Sequence, residues 1–150
     1  MAVPARKIYR INPADENDRI AVGIDLPMVK KNGAPFPQTR LTIDAAKANL
    51  KNLILTRKGE RPFHPDLGTG IYDFLFEPNI NEMLVNIEEE ISSATAKWLP
   101  YVVITDLRVE VADRQYGFSD NFNGVRISIS FTLAGNRFNE ESITVVIGAE

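Results

Sequence analysis

Residues 125–133 read Val-Arg-Ile-Ser-Ile-Ser-Phe-Thr-Leu, with apolar and polar side chains in alternation. Successive side chains of a β-strand point to opposite faces, so this pattern predicts a strand with one buried face. Residues 103–111 and 143–147 alternate in the same way. An Asn-Gly dipeptide at 123–124 and a Gly-Asn dipeptide at 135–136 are typical of hairpin turns. Strands joined by short turns are normally antiparallel, so we expect an antiparallel sheet.

Helical spacing precedes these strands. From Ile80 to Lys97, apolar residues recur every three or four positions and Pro100 follows, which predicts an amphipathic helix. Its buried stripe would comprise Ile80, Met83, Leu84, Ile87, Ile91, Ala94 and Trp98. An earlier helix is predicted to begin with Asp44 as its N-cap and to stop at Gly59.

The order of the elements predicts the fold class. Residues 19–26 alternate and predict a short, half-buried strand, with Ile20, Val22, Ile24 and Leu26 on its apolar face. A strand, two helices and three successive strands indicate an α+β domain, with two main helices packed on one face of a mainly antiparallel sheet. We expect residues 1–40 to form an N-terminal extension with short strands, and residues 41–150 to form the α+β domain.

Composition excludes several kinds of chemistry. The chain has 150 residues, a formal net charge of −3, no cysteine and one histidine. Disulfides, thiolate metal sites and cysteine nucleophiles are therefore excluded, as are metal sites that need two histidines. The mild charge gives no argument for nucleic-acid binding, and no apolar run approaches the ~18 residues of a membrane span. We expect no metal, no cofactor, and neither a nucleic acid nor a membrane as partner.

Catalytic candidates are weak. Glu60, Asp66 and Glu77 are carboxylates of the kind that glycosidases use in pairs. Glu60 is flanked by basic residues, which favour its ionised form and so oppose a role as general acid. Asp66 follows a proline, where turn chemistry explains it. His64 has an acidic neighbour, but the Gly-x-Ser-x-Gly nucleophile motif is absent. We therefore predict no catalytic residue.

Residues 56–68, Thr-Arg-Lys-Gly-Glu-Arg-Pro-Phe-His-Pro-Asp-Leu-Gly, form the most unusual segment, which we call the motif loop. Two prolines and two glycines fix its backbone path, and its first half is basic. Arginine beside an aromatic residue is common at protein interfaces, which favours a docking loop. The alternative is a rigid surface loop whose arginines cap the preceding helix. The acidic run at 88–90 is predicted to be a solvated helix face, with contact to a basic partner as the alternative. Trp98 and Tyr101 are predicted to fill a helix–strand corner of the core.

Residues 52–68, followed by Leu-Phe-Glu-Pro at 75–78, resemble the small baseplate wedge subunit of contractile phage tails. A similar subunit occurs in type VI secretion baseplates. The resemblance covers about residues 41–147 and agrees in element order.

The chain departs from the family pattern at a few positions. The family usually ends its second helix with aromatic-Glu-Pro-Arg. Here Trp98 and Pro100 fit, whereas Leu99 and Tyr101 replace the acidic and basic residues. Leu67 stands where the family usually has an aromatic residue.

The resemblance implies a non-enzymatic structural subunit of a baseplate wedge, in a virion tail assembled in the host cytoplasm. It would dock to other wedge proteins and template attachment of the tail sheath subunit by strand addition, in six copies per baseplate. Strand 125–134 is a candidate for the acceptor edge, since it is long and lacks proline. The residues that we expect to bind partners are Arg57, Lys58, Glu60, Arg61, Pro62, Phe63, His64, Trp98 and Pro100.

Two alternatives stay open. The family has also been labelled lysozyme-like, so a peptidoglycan-degrading tail enzyme that uses Glu60 or Asp66 is one of them. A sheath-like or other tail component with the same fold is the second.

Overall fold

The computed structural model describes residues 13–17, 19–26, 28, 36–76, 80–111 and 123–149. The order of its elements confirms the predicted α+β class. In chain order they are a 3-10 helix at Pro13–Glu16, β1 at Gly23–Ile24, β2 at Gln38–Thr39, α1 at Thr42–Leu55, α2 at Ile71–Phe74, α3 at Ile80–Trp98, β3 at Val102–Val111, β4 at Asn123–Leu133 and β5 at Asn136–Ala149.

The main sheet has the strand order β3-β4-β5, and both pairings are antiparallel, as predicted. Helix α1 packs against β5 and α3 packs against β3. Alternate residues of β4 form the centre of the core, because Val125, Ile127, Ile129 and Phe131 are almost fully buried. β1 and β2 form a separate two-stranded antiparallel sheet that contacts α1.

A register shift in β3 corrects the predicted face of that strand. The pairing with β4 slips between Ile104 and Asp106, which is the mark of a β-bulge. The extra residue shifts the alternation of the side chains by one position. Even-numbered residues therefore face the core before the bulge, and odd-numbered residues face it after the bulge. The predicted alternation places Val103 on the same face as Val109. Val109 is buried as expected, but Val103 is 46% exposed and the preceding Val102 is buried instead.

One predicted turn is confirmed and the other is wrong. Gly135 lies in the turn between β4 and β5 with a φ of +89°, which favours glycine. Asn123 and Gly124 instead lie inside β4, where they pair with Ala149 and Gly148 of β5. The ladder with β5 continues to the end of that strand, so main-chain pairing overrides the local turn preference.

The ends of α1 differ from the prediction. The helix begins at Thr42, and Asp44 lies in its first turn without acting as the N-cap. Asp15 provides the cap from a distance, because its carboxylate accepts hydrogen bonds from the Thr42 N–H at 2.7 Å and the Thr42 hydroxyl at 2.9 Å. The helix ends at Leu55, before the predicted stop at Gly59.

Helix α3 spans the predicted segment to within one residue. Met83, Ile87 and Ile91 are buried as expected, but Ile80 is 55% exposed at the first residue of the helix. Among the described segments of the chain, no helix is long and apolar enough to cross a membrane.

The N-terminal strand is shorter and more exposed than predicted. β1 has two residues, and the expected apolar face is largely open to solvent, since Ile20, Val22 and Ile24 are 48%, 37% and 53% exposed. Gly23 approaches α1 instead, where an added Cβ would lie 3.2 Å from the Ala45 Cβ. The division of the chain at residue 40 stays a prediction.

Candidate docking site

Two threonines close the base of the motif loop. The Thr56 N–H and hydroxyl both donate to the Asn52 carbonyl, at 3.0 and 2.7 Å, and so complete the last turn of α1. The Thr69 N–H donates to the Thr56 carbonyl at 2.9 Å, and the buried Thr69 hydroxyl donates to the Ile54 carbonyl at 2.9 Å. These contacts cap the helix with threonines, whereas one prediction assigned this role to the arginines of the loop.

Gly68 is required where the two ends of the loop cross. Its φ is +115°, and a Cβ at this position would lie 2.3 Å from the carbonyl oxygen of Thr56. Any other residue would therefore push the loop ends apart.

Within the loop, the backbone folds through successive turns. The Glu60 N–H donates to the Arg57 carbonyl at 3.2 Å, and the Glu60 carboxylate accepts the Arg57 N–H at 3.1 Å. The Gly59 N–H reaches across the loop to the Pro65 carbonyl at 2.7 Å. The His64 N–H donates to the Arg61 carbonyl at 3.1 Å. This internal bonding holds the loop in one shape.

Contacts with α2 and α3 fix the loop to the domain. Lys58 Nζ lies 2.5 Å from the Glu90 carboxylate, which also accepts the Gly70 N–H at 3.2 Å. The Arg57 guanidinium lies over the Tyr72 ring, 3.8 Å from its centroid, in a cation–π contact. The prediction that residues 88–90 form a solvated face is therefore wrong for Glu90, because a basic residue of this chain meets it.

The C-terminal end of α3 supports the loop from the other side. The rings of His64 and Trp98 meet edge to face, with centroids 6.3 Å apart. Trp98 packs partly into the core, as predicted, while the Tyr101 hydroxyl accepts a hydrogen bond from Asn49 and its side chain is 41% exposed. The prediction that Tyr101 fills the core corner is wrong. Pro100 is exposed in the turn before β3.

The side chains of Arg61, Pro62 and Phe63 take part in none of these contacts, and we call this segment the loop tip. All three residues are exposed, and Phe63 is 94% exposed. Arg61 forms no ion pair with any residue that the structure describes. A cleft of about 610 Å³ lies between the loop tip and the C-terminal end of α1, where Leu55 is 38% exposed.

Of the carboxylates considered for catalysis, Glu60 accepts the Arg57 N–H within the loop, and Asp66 is exposed. Glu77 lies outside the described residues. Within the described ranges, no group of three histidine, cysteine, aspartate or glutamate residues could hold a metal ion.

Sequence reasoning missed three residues that shape the site. Tyr72 receives Arg57, Glu90 receives Lys58, and Thr69 ties the end of the loop to α1. The acidic run at 88–90 indicated that a basic residue could bind there. The sequence alone gave no sign that this part of α3 lies beside the motif loop.

The strand order corrects the predicted acceptor edge. β4, which contains most of segment 125–134, lies in the middle of the sheet and pairs on both sides. Among the described strands of the main sheet, β3 and β5 are the edges. A strand from another chain that extends this sheet would therefore pair with one of these two.

Comparison with known proteins gives a family match. A family model described as baseplate wedge protein gp25 matches residues 43–137. Baseplate wedge protein gp25 of Enterobacteria phage T4 is 32% identical over 88 residues, which cover 49% of this chain and 67% of that protein.

Solved structures share the fold. The anti-feeding prophage baseplate contains a chain with a TM-score of 0.59 and 23% identity, covering 77% of this chain and 86% of that one. A putative tail lysozyme from Geobacter sulfurreducens has a TM-score of 0.57 and 21% identity, covering 70% and 87%. A chain of the type VI secretion system baseplate complex has a TM-score of 0.53 and 14% identity, covering 72% and 93%. At these identities the likeness shows the fold alone.

Proposed function

This chain belongs to the baseplate wedge protein gp25 family, and we propose that it docks to neighbouring wedge proteins through its motif loop, without catalysis. It is a structural subunit of a baseplate wedge. The family match begins at residue 43, which supports treating residues 41–150 as the wedge domain and residues 1–40 as an extension.

The observation that carries the docking proposal is the exposure of Phe63 on a loop that is fixed at both ends. Arg57, Lys58, Glu60 and His64 make contacts inside the chain, so they build the loop. The side chains of the loop tip remain exposed and can contact a partner protein. The predicted binding residues thus divide into a supporting group and a presenting group.

The loop tip has the chemistry of an interface anchor. Moving one phenylalanine side chain from water into an apolar pocket yields about 1.5–3 kcal/mol. The fixed backbone reduces the ordering cost of binding, because few main-chain torsions remain to be restricted. Arg61 adds a cation that can form charge-assisted hydrogen bonds with a carboxylate. We expect the partner to offer an apolar pocket with acidic residues at its rim.

Trp98 and Pro100 extend this surface at the end of α3. Trp98 is half-buried behind His64, and Pro100 is exposed beside it. Leu99, which replaces the acidic residue of the family pattern, is 9% exposed and belongs to the core. We propose that Trp98 and Pro100 form the border of the docking surface.

Attachment of the tail sheath subunit is the second part of the proposal. An open strand edge carries unpaired main-chain N–H and C=O groups, which can pair with a strand from another chain. The two edges of the sheet, β3 and β5, support such an addition. We propose six copies per baseplate, by the usual symmetry of such tails, and assembly in the host cytoplasm.

The docking proposal is tested by imaging particles that carry Arg61→Glu or Phe63→Ala. Arg19→Glu and Phe36→Ala are matched controls, because both residues are exposed and lie outside the loop. We expect the loop variants to yield few complete sheathed tails and the controls to yield normal tails. Normal tails from the double variant Arg61→Glu, Phe63→Ala would contradict the docking role.

The hydrolase alternative has a separate test. The structural likeness to a putative tail lysozyme is at 21% identity, and the Glu60 carboxylate is engaged with the Arg57 N–H. We expect purified protein to leave the turbidity of a peptidoglycan suspension unchanged. Clearing that disappears in Glu60→Gln or Asp66→Asn would favour the enzyme.

A further inference from the structure

One side of α1 connects two hollows in the protein surface. Residues that recur every three or four positions lie along one side of a helix, and here these are Thr42, Ala45, Asn49 and Asn52. Asn52 and Leu55 line the cleft beside the loop tip. Thr42, Ala45 and Asn49 line a second hollow of about 260 Å³. We call this side of α1, with the hollow at each end, the α1 groove.

The second hollow has apolar walls that stay open to solvent. Val22, Tyr101, Leu133 and Ala134 line it together with α1, and Val22 and Tyr101 are exposed. None of its lining residues is charged. Charged residues are depleted at the centre of protein interfaces, whereas aromatic residues are enriched there. The hollow therefore has the composition of an interface and can receive an apolar side chain.

Two exposed asparagines occupy the middle of the α1 groove. Asn49 donates a hydrogen bond to the Tyr101 hydroxyl at 3.0 Å, and the Asn52 side chain forms none with the residues that the structure describes. Each amide thus retains both donor and acceptor capacity. The main chain of an extended segment also carries donors and acceptors that need partners, whereas that of a helix is bonded internally. The two amides therefore favour an extended segment over a helix.

The distance between the hollows fits the same conformation. Ala46 lines the second hollow and Leu55 lines the cleft, nine residues further along α1. A helix rises ~1.5 Å per residue, so the two hollows lie about 13 Å apart along the helix. About four residues of extended chain span the same distance, and side chains four residues apart point to the same face. One extended segment can therefore place a side chain in each hollow.

Resting on the proposed function, we propose that the wedge protein that receives the loop tip also lays an extended segment in the α1 groove. The main chain of the segment bonds to the amides of Asn49 and Asn52, and an apolar side chain fills the second hollow beside Tyr101. The side chain about four residues away packs in the cleft against Leu55 and Phe63. This contact adds no strand to the main sheet, because the groove is built on α1 and not on an edge of that sheet.

Photocross-linking in assembled particles tests the groove. A diazirine amino acid is incorporated at Asn49, at Pro62 in the loop tip, or at Ser92, an exposed residue of α3 outside both sites. The particles are irradiated, and cross-linked peptides are identified by mass spectrometry. We expect positions 49 and 62 to cross-link to neighbouring peptides of one wedge protein. Position 92 is expected to give no cross-link to these peptides.

The outcomes separate this inference from the proposed function. If position 62 cross-links to a wedge protein while position 49 cross-links to a different protein or to none, the groove is overturned and the docking loop stands. If position 62 gives no cross-link in particles that contain the chain, both are overturned. Peptides far apart in the partner sequence would overturn the single extended segment. Should the diazirine at Asn49 prevent assembly, Asn52 takes its place.

Removal of one amide tests the contact with the main chain of the segment. Asn52→Leu keeps the approximate size of the side chain but removes its donors and its acceptor. We expect an unchanged unfolding midpoint, since the amide bonds to no described residue, and a several-fold lower yield of complete sheathed tails. Ser92→Leu is the matched control, because it adds the same apolar side chain at an exposed position elsewhere. Equal yields from the two variants would overturn the contact at Asn52.

Discussion

Replacing Gly68 by alanine tests whether the motif loop has one fixed shape. Gly68 has a φ of +115°, and an added Cβ would lie 2.3 Å from the Thr56 carbonyl oxygen and 2.9 Å from the Thr56 carbonyl carbon. Both are backbone atoms, so no side-chain rotation relieves the overlap. Relief requires moving the loop ends apart, which disrupts the 2.9 Å hydrogen bond between the Thr69 N–H and the Thr56 carbonyl.

The expected cost follows from these contacts. Holding an L-residue at positive φ costs about 1–2 kcal/mol, and losing the Thr56–Thr69 hydrogen bond costs about 1 kcal/mol more. We expect Gly68→Ala to lower the free energy of unfolding by about 2–3 kcal/mol. For a chain of this length, that corresponds to a fall in Tm of roughly 4–12 °C.

Gly59→Ala is the matched control. Gly59 has a φ of +86°, but a Cβ there meets no atom within 4 Å, so only the backbone cost of about 1–2 kcal/mol applies. Urea denaturation followed by circular dichroism measures both variants against the unmodified protein. Equal destabilisation by the two substitutions would refute the crossing geometry at Gly68.

Three further predictions concern single contacts. Thr69→Val removes the hydroxyl that donates to the buried Ile54 carbonyl, and we expect a loss of about 1–3 kcal/mol by urea denaturation, with Thr69→Ser close to the unmodified protein. Asp15→Ala removes the distant cap of α1 at Thr42, and a loss of about 1 kcal/mol is expected; an unchanged unfolding midpoint would contradict the capping role. Phe63→Ala is expected to change stability by less than about 0.5 kcal/mol, because the side chain is 94% exposed; a large loss would show that Phe63 supports the fold.

Periodic patterns predicted the main elements of this fold. The alternation in 125–133 and the helical stripe of α3 involve many residues in one regular environment, so local sequence determines them. The β3 bulge could not be predicted, because it depends on how β3 and β4 pair across the sheet. The N-cap of α1 was missed for a related reason, since Asp15 lies 27 residues before Thr42.

The sequence predicted which segment forms the candidate site, but it did not predict which side chains of that segment are exposed. The prolines, glycines and arginines of 56–68 marked an unusual loop in the sequence. Which residues point outward depends on Tyr72, Glu90 and Trp98, and the fold brings these to the loop from α2 and α3. The acceptor edge was likewise undetermined, because strand order is a property of the whole sheet.

A reconstruction of the assembled particle at side-chain resolution tests the central claim most directly. The measurement is the environment of Phe63 and Arg61 in each copy of this chain. Our account predicts that the Phe63 ring lies in an apolar pocket of a neighbouring wedge protein, with a carboxylate against Arg61. A baseplate in which this chain is present and residues 61–63 face solvent would contradict it.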